Sequence, residues 1–99
     1  EKKAEQAKIA TLEKAYKAAK AASVKTPKDA TKKAAYVKAT DAYAYAVMTA
    51  ASLSAKEKYP RALKLYREAK KVSPSDKEAN KWIKTIEEIY RSMGLPIPK

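Results

Sequence analysis

Carboxylates, amines and phenols carry nearly all the reactive chemistry this sequence can offer, since it has no His and no Cys. That removes the imidazole acid–base relay, the thiol nucleophile and the usual zinc sites. A single Gly, Gly94, leaves no glycine-rich loop to cradle phosphate. Catalysis would have to come from a carboxylate pair or a buried lysine. Glu87 and Glu88 are adjacent, and neighbours on a helix point about 100° apart, so they read as solvated surface rather than as a facing acid–base pair. Function has to be argued from a site, and no site for turnover is visible. The expectation is a non-enzymatic protein without metal or cofactor.

The amines are the other conspicuous group: 23 Lys and Arg stand against 11 Asp and Glu, for a net charge of +12. Such a charge attracts phosphate in a salt-sensitive way, and Tyr36, Tyr43, Tyr45 and Trp82 offer rings that could stack on bases. With 20 Lys and three Arg, bidentate base readout is poorly supplied, so nucleic-acid binding is expected to be blind to sequence. Two simpler readings compete with it. The aromatic residues fall on apolar helix faces, where they would fill a core. Runs such as "KKAEQAK" and "EKAYKAAK" set Glu and Lys three or four apart, which stabilises a solvated helix with no partner at all.

No apolar run approaches the roughly 18 residues that a membrane span needs. The first helix is basic, but its apolar face is mostly Ala and has little bulk to insert into a membrane surface. Without Cys there is no redox signal for a compartment, and a soluble, cytoplasmic protein is the default. The start at Glu1, with no charged-then-apolar leader ahead of the first helix, leads to the expectation of a trimmed or processed chain.

The elements that would position these groups are helical. A chain of 99 residues suits one domain, 1–99, burying roughly two thirds of its unfolded surface. One Gly and five Pro make positive-φ hairpin turns nearly inaccessible, whereas Ala, Lys, Glu and Leu favour helix; the class is all-α. With 21 Ala and no Phe, the core must draw its bulk from Tyr, Trp82 and a few aliphatic residues.

Four helices are predicted, at about 2–23, 27–53, 59–73 and 76–93. Ile9, Leu12, Tyr16 and Ala19 give the first a narrow stripe. Thr26 reads as an N-cap with Pro27 as the first helical residue of the second. From Ala42 to Leu53 the second helix is apolar on nearly all sides, the mark of a central helix with several neighbours. "SAKEK" reads as the next connection, where Ser54 and Glu57 form a capping-box turn, with Pro60 in the first turn of the third helix. Ser75 and Glu78 fit a capping box for the fourth, whose apolar residues from Ala79 to Met93 span an arc of roughly 120°. Gly94 is its C-cap.

The pattern also repeats. Leu12, Tyr16, Ala19 and Pro27 are echoed by Ala62, Tyr66, Ala69 and Pro74, so two helix–turn–helix units are expected. Tyr59, Ala62, Tyr66, Ala69 and the closing Pro74 resemble the second helix of a tetratricopeptide repeat. The resemblance covers residues 59–79 closely and about 43–93 more loosely. It departs from the family in the preceding helix, where Ala46, Met48 or Thr49, Ala50 and Leu53 replace the usual Trp, Leu, Gly and Tyr.

That resemblance implies a right-handed four-helix stack of two hairpins, and a binding module whose groove, between helix two and helix four, takes up a peptide segment. Carried over position by position, the groove residues would be Ala44, Val47, Ala51, Lys81 and Thr85. A Lys-rich rim would steer in an acidic ligand. A different expectation comes from composition: Ala and Lys together make 41 of the 99 residues, which resembles a thermophile repeat protein or an engineered scaffold selected for helix propensity. Such a chain would only fold or self-associate, with the Tyr-rich stretch of helix two as the surface of a homodimer.

Overall fold

A computed structural model describes residues 2–99 and shows an all-α chain of four helices: α1 (Lys2–Lys25), α2 (Ala30–Met48), α3 (Ala55–Val72) and α4 (Lys77–Ser92). Helix α2 packs against both α1 and α3, and α3 packs against α4. Side chains add contacts across this zigzag. Glu68 of α3 reaches Tyr16 and Lys20 of α1, and Tyr45 of α2 meets Trp82 of α4 with ring centroids 5.7 Å apart. The molecule measures 41 × 31 × 19 Å, and its thin dimension fits two layers of helices spaced about 8–10 Å apart.

Close packing rests on small residues beside large ones. Ala62, Ala69, Ala44 and Ala79 are fully or almost fully buried, which lets helix axes approach, and Tyr66, Leu63, Ile86 and Val47 fill the space beside them. Tyr16, Tyr36 and Tyr43 are buried where α1, α2 and α3 meet. Of the four aromatic residues considered for base stacking, Tyr36 and Tyr43 are core, Trp82 is partly buried and Tyr45 is exposed. Burial of Tyr36 and Tyr43 also dismantles the expected Tyr-rich dimer surface, leaving Tyr45 as its one exposed ring.

Helix boundaries differ from expectation where a side chain substitutes for the helical ladder. Helix α2 starts at Ala30 rather than at 27, because Asp29 and not Thr26 is the N-cap, its Oδ1 accepting from the Lys32 N–H at 3.1 Å. It ends at Met48 rather than at 53. Past that point the Ala51 and Ser52 N–H groups donate to the Glu5 carboxylate of α1, at 2.9 and 2.7 Å, so no helical carbonyl is needed for them. Helix α3 starts at Ala55 rather than at 59. Its N-cap Ser54 accepts the Glu57 and Lys58 N–H groups, and the Ser54 hydroxyl donates to Glu57. Pro60 therefore lies in the second turn.

At α4 the N-cap is Asp76 rather than Ser75, and Glu78 accepts from Trp82 Nε1 at 3.0 Å instead of closing a capping box. Gly94 ends α4 as expected, with φ 68°: the Gly94 N–H donates to Arg91 O and the Leu95 N–H to Tyr90 O, both at 3.0 Å, a Schellman closure. The tail then folds back, where Arg67 donates to Pro98 O at 2.8 Å and Ile97 packs on the core.

Candidate functional site

A cleft of about 560 Å³ opens between α2, the end of α3 and the start of α4. Its apolar walls include Ala34 and Val37 of α2 and Val72 of α3, with Lys33 and Lys38 beside them. It also carries three carboxylates: Asp41 from the middle of α2, Asp76 from the N-cap of α4 and Glu78 from its first turn. Asp41 and Glu78 also line an adjoining hollow of about 430 Å³, bounded by Lys8 and Leu12 of α1 and by Tyr45.

The placement follows from the local folding. Asp41 sits one residue after buried Thr40, whose hydroxyl donates back to Tyr36 O at 2.7 Å, and two before buried Tyr43. Helical phase therefore tips it to the edge of the apolar face. Asp76 arrives because Pro74 and Ser73 end α3 and turn the chain; the Asp76 N–H donates to Ser73 O at 3.0 Å. As an N-cap its carboxyl would normally accept from the first turn of its own helix, but here it makes no such bond and turns to the cleft.

Asp41 Oδ1 and Asp76 Oδ2 are buried and receive no donor from any other described residue, leaving the two carboxyls to face each other. Burial is the first cause, a side-chain hydrogen bond shared with the Asp76 carboxyl the second, and the charges of Asp76 and Glu78 follow, together pushing the Asp41 carboxyl up to about 8; the two acids are thus each other's partners. At neutral pH it keeps its proton, as expected for carboxyls that share a site. Beneath them lies Tyr66 of α3, which has no exposed surface and whose hydroxyl also has no partner. Burial, then the charges of Asp41 and Glu78, hold its phenol well above the ordinary value.

The groove residues expected from the sequence are distributed differently. Ala44 and Val47 have no exposed surface and serve as core packing, beyond the reach of a ligand. Ala51 lies in the α2–α3 turn, tied to Glu5. Lys81 is exposed on α4, its ammonium 4.6 Å from the Trp82 ring centre, and the Thr85 hydroxyl donates to Lys81 O at 3.1 Å. None of the five lines the cleft. A ligand there would meet Asp76 and Glu78 as well as Lys33 and Lys38. Glu87, set aside as surface, pairs with Arg67 of α3 at 3.6 Å.

Sequence reasoning missed Asp41, Asp76, Glu78 and Tyr66 as a group. One signal was present: Asp41 is a lone acid at the head of an otherwise apolar run, "DAYAYAVM". Among the described residues no group of three His, Cys, Asp or Glu converges to hold a metal, and no helix is long and apolar enough to cross a membrane. Comparison with known proteins gives no match: no family model, no curated protein and no solved structure is similar to this chain.

Proposed function

We propose that this chain is a non-enzymatic binding module that takes up a segment of a partner polypeptide in the cleft between α2 and the α3–α4 junction. In this reading the four helices form two hairpins stacked as in a short tetratricopeptide array, with right-handed twist. The observation that carries the reading is the cleft itself. Its volume falls in the range of ligand pockets, its walls are largely aliphatic, and a few charged and polar groups stand along it.

Selection from a random peptide library, followed by ¹⁵N-NMR mapping of a selected peptide, tests this. Shifts confined to amides of residues 30–41 and 72–78 are expected. Peptides that map elsewhere on the surface, or a library that yields none, would overturn the assignment.

A second reading has its own support. Among the described residues only Lys17, Lys20, Arg61 and Arg67 of the 23 basic side chains pair with a carboxylate, which leaves a large, open positive charge. Binding of random-sequence DNA that persists at near-physiological salt would favour electrostatic nucleic-acid binding; binding seen only at very low salt is generic charge attraction.

A further inference from the structure

Asp76 occupies the N-cap of α4 but makes no side-chain bond to that helix, and its buried Oδ2 is turned instead to the Asp41 carboxyl of α2. We propose that this pair is a proton-operated latch: with the proton in place Asp41 ties the α3–α4 junction to α2, and on its loss the Asp76 carboxyl lets go and caps its own helix. The latch stands in the wall of the cleft but does not depend on what the cleft takes up.

Three observations support it. Asp41 Oδ1 and Asp76 Oδ2 are both buried, and no other described residue donates to either. Two facing carboxyls satisfy each other only while they hold a proton, one as O–H donor and the other as carboxylate acceptor. The second observation is the empty cap. The first N–H groups of a helix have no carbonyl of their own to bond, and an N-cap Asp normally accepts from the second or third of them. At α4 those belong to Glu78 and to Ala79, which has no exposed surface. Asp29 does cap α2 in this way, accepting from the Lys32 N–H at 3.1 Å. The third is that the change asks for little. The Asp76 backbone is held by its N–H to Ser73 O at 3.0 Å and by the Asn80 N–H to its own carbonyl at 3.1 Å, so only the side chain has to turn from α2 to α4. Helix α4 packs on α3 and meets α2 through Tyr45 and Trp82; the carboxyl pair is a second tie between α2 and the start of α4.

The groups around Asp41 set the direction. Asp76 and Glu78 of α4 oppose its ionisation, as burial does, and Tyr66 of α3 faces it with a phenol held well above the ordinary value. Exposed Lys33 and Lys38 of its own helix, and exposed Lys8 of α1 across the adjoining hollow, favour the charged form; Tyr45 lines that hollow too. The first set prevails, and the Asp41 carboxyl is pushed up to about 8. Below that value the Asp41 O–H donates to the Asp76 carboxylate. Above it the O–H bond breaks, the proton leaves to solvent and the two carboxylates repel, while the positive end of the α4 dipole draws the Asp76 carboxylate to the first turn.

Carbon-detected NMR of the whole ¹³C-labelled chain from pH 5 to pH 9.5 tests this. The Asp41 side-chain carboxyl signal is expected to move in a one-proton step centred near pH 8, and the backbone carbonyl signals of residues 76–79 to move with the same midpoint. Asn keeps a donor at every pH, so Asp41→Asn should hold residues 76–79 at their low-pH positions up to pH 9.5. Ala has none, so Asp41→Ala should show their high-pH positions already at pH 5, in a protein that circular dichroism shows still folded. Should Asp41→Ala fail to fold, the wild-type titration and Asp41→Asn decide between them. An Asp41 step near pH 4, signals of residues 76–79 that ignore the Asp41 step, an Asp41→Asn variant that still responds near pH 8, or a folded Asp41→Ala variant with low-pH positions at pH 5 would each overturn the proposal.

Discussion

Glu68 and Asp41 are both shielded carboxylates at the seams of α2 and α3, and the protein treats them in opposite ways. Glu68, toward α1, accepts from the Tyr16 hydroxyl at 2.7 and 2.8 Å, from the Tyr36 hydroxyl, and from the Lys20 ammonium at 3.3 Å. Burial pushes its carboxyl up, but the bonds from Tyr36, Tyr16 and Lys20 outweigh that and hold it below the ordinary carboxylate value. Asp41, toward α4, receives no such donor and is driven the other way, to about 8. Burial acts on both in the same direction, so the donors decide which carboxylate is ionised. The α1–α2–α3 seam is a closed clasp in which three helices share one charge. The seam between α2 and α4 is an open one, held at a standing cost.

Removing the clasp should have the larger effect. Glu68→Ala leaves the part-buried Tyr16 and Tyr36 hydroxyls without their acceptor, while the exposed Lys20 ammonium returns to solvent, and is expected to destabilise the fold by about 2 kcal/mol in urea denaturation at pH 7. The wild-type pH profile reports the same group. Its folded value lies below the ordinary 4.5, so its contribution is complete above pH 4.5 and is lost as pH falls through the folded value; the variant should lack that acid limb. A loss under about 0.5 kcal/mol would mean that the clasp is ornamental and the contrast with Asp41 empty.

Asp41→Asn should move stability the other way. The Asp41 carboxyl titrates higher in the fold than in the unfolded chain, about 8 against 3.8. Between those values the native state holds a proton that the unfolded state has released, and wild-type stability falls as pH rises; above 8 the loss is complete. Asn removes that slope. A gain of about 1 kcal/mol is expected at pH 9, well below the full worth of the shift because solvent reaches the cleft, and little change at pH 4. Denaturation midpoints at the two pH values check it. Equal effects at both would show that Asp41 is ionised in the fold and the open seam misassigned.

The four helices were legible because capping residues and Ala- and Leu-rich runs act locally. The centrality of α2 was legible too, since "AYAYAVM" leaves no polar face to expose. Boundaries erred where the deciding partner is far away in sequence: nothing near Ala51 and Ser52 announces that Glu5 will take their N–H groups, 46 and 47 residues distant. The cleft was illegible for the same reason. Asp41, Asp76 and Glu78 come together only once α2, α3 and α4 have packed, and the clasp joins residues 32 and 52 positions apart. Expected groove residues at Ala44 and Val47 assumed that one side of α2 stayed bare, whereas both have no exposed surface.

The pair that includes the smallest effect, Tyr66→Phe, discriminates most sharply, because it compares one residue type at one place in the repeated pattern. Tyr16 of α1 and Tyr66 of α3 stand 50 positions apart, each three residues before a recurring alanine, Ala19 and Ala69. Both rings are buried. Only the first has a use for its hydroxyl, which donates to Glu68, whereas that of Tyr66 has no partner. Tyr16→Phe removes a charge-assisted bond and should cost about 1–1.5 kcal/mol. Tyr66→Phe removes a buried hydroxyl that bonds nothing, and should be neutral or stabilise by up to about 1 kcal/mol. Opposite signs in parallel urea denaturations at pH 7 are the expected result. If Tyr66→Phe instead costs as much as Tyr16→Phe, the Tyr66 hydroxyl is satisfied in solution, and the α2–α4 seam is as closed as its counterpart.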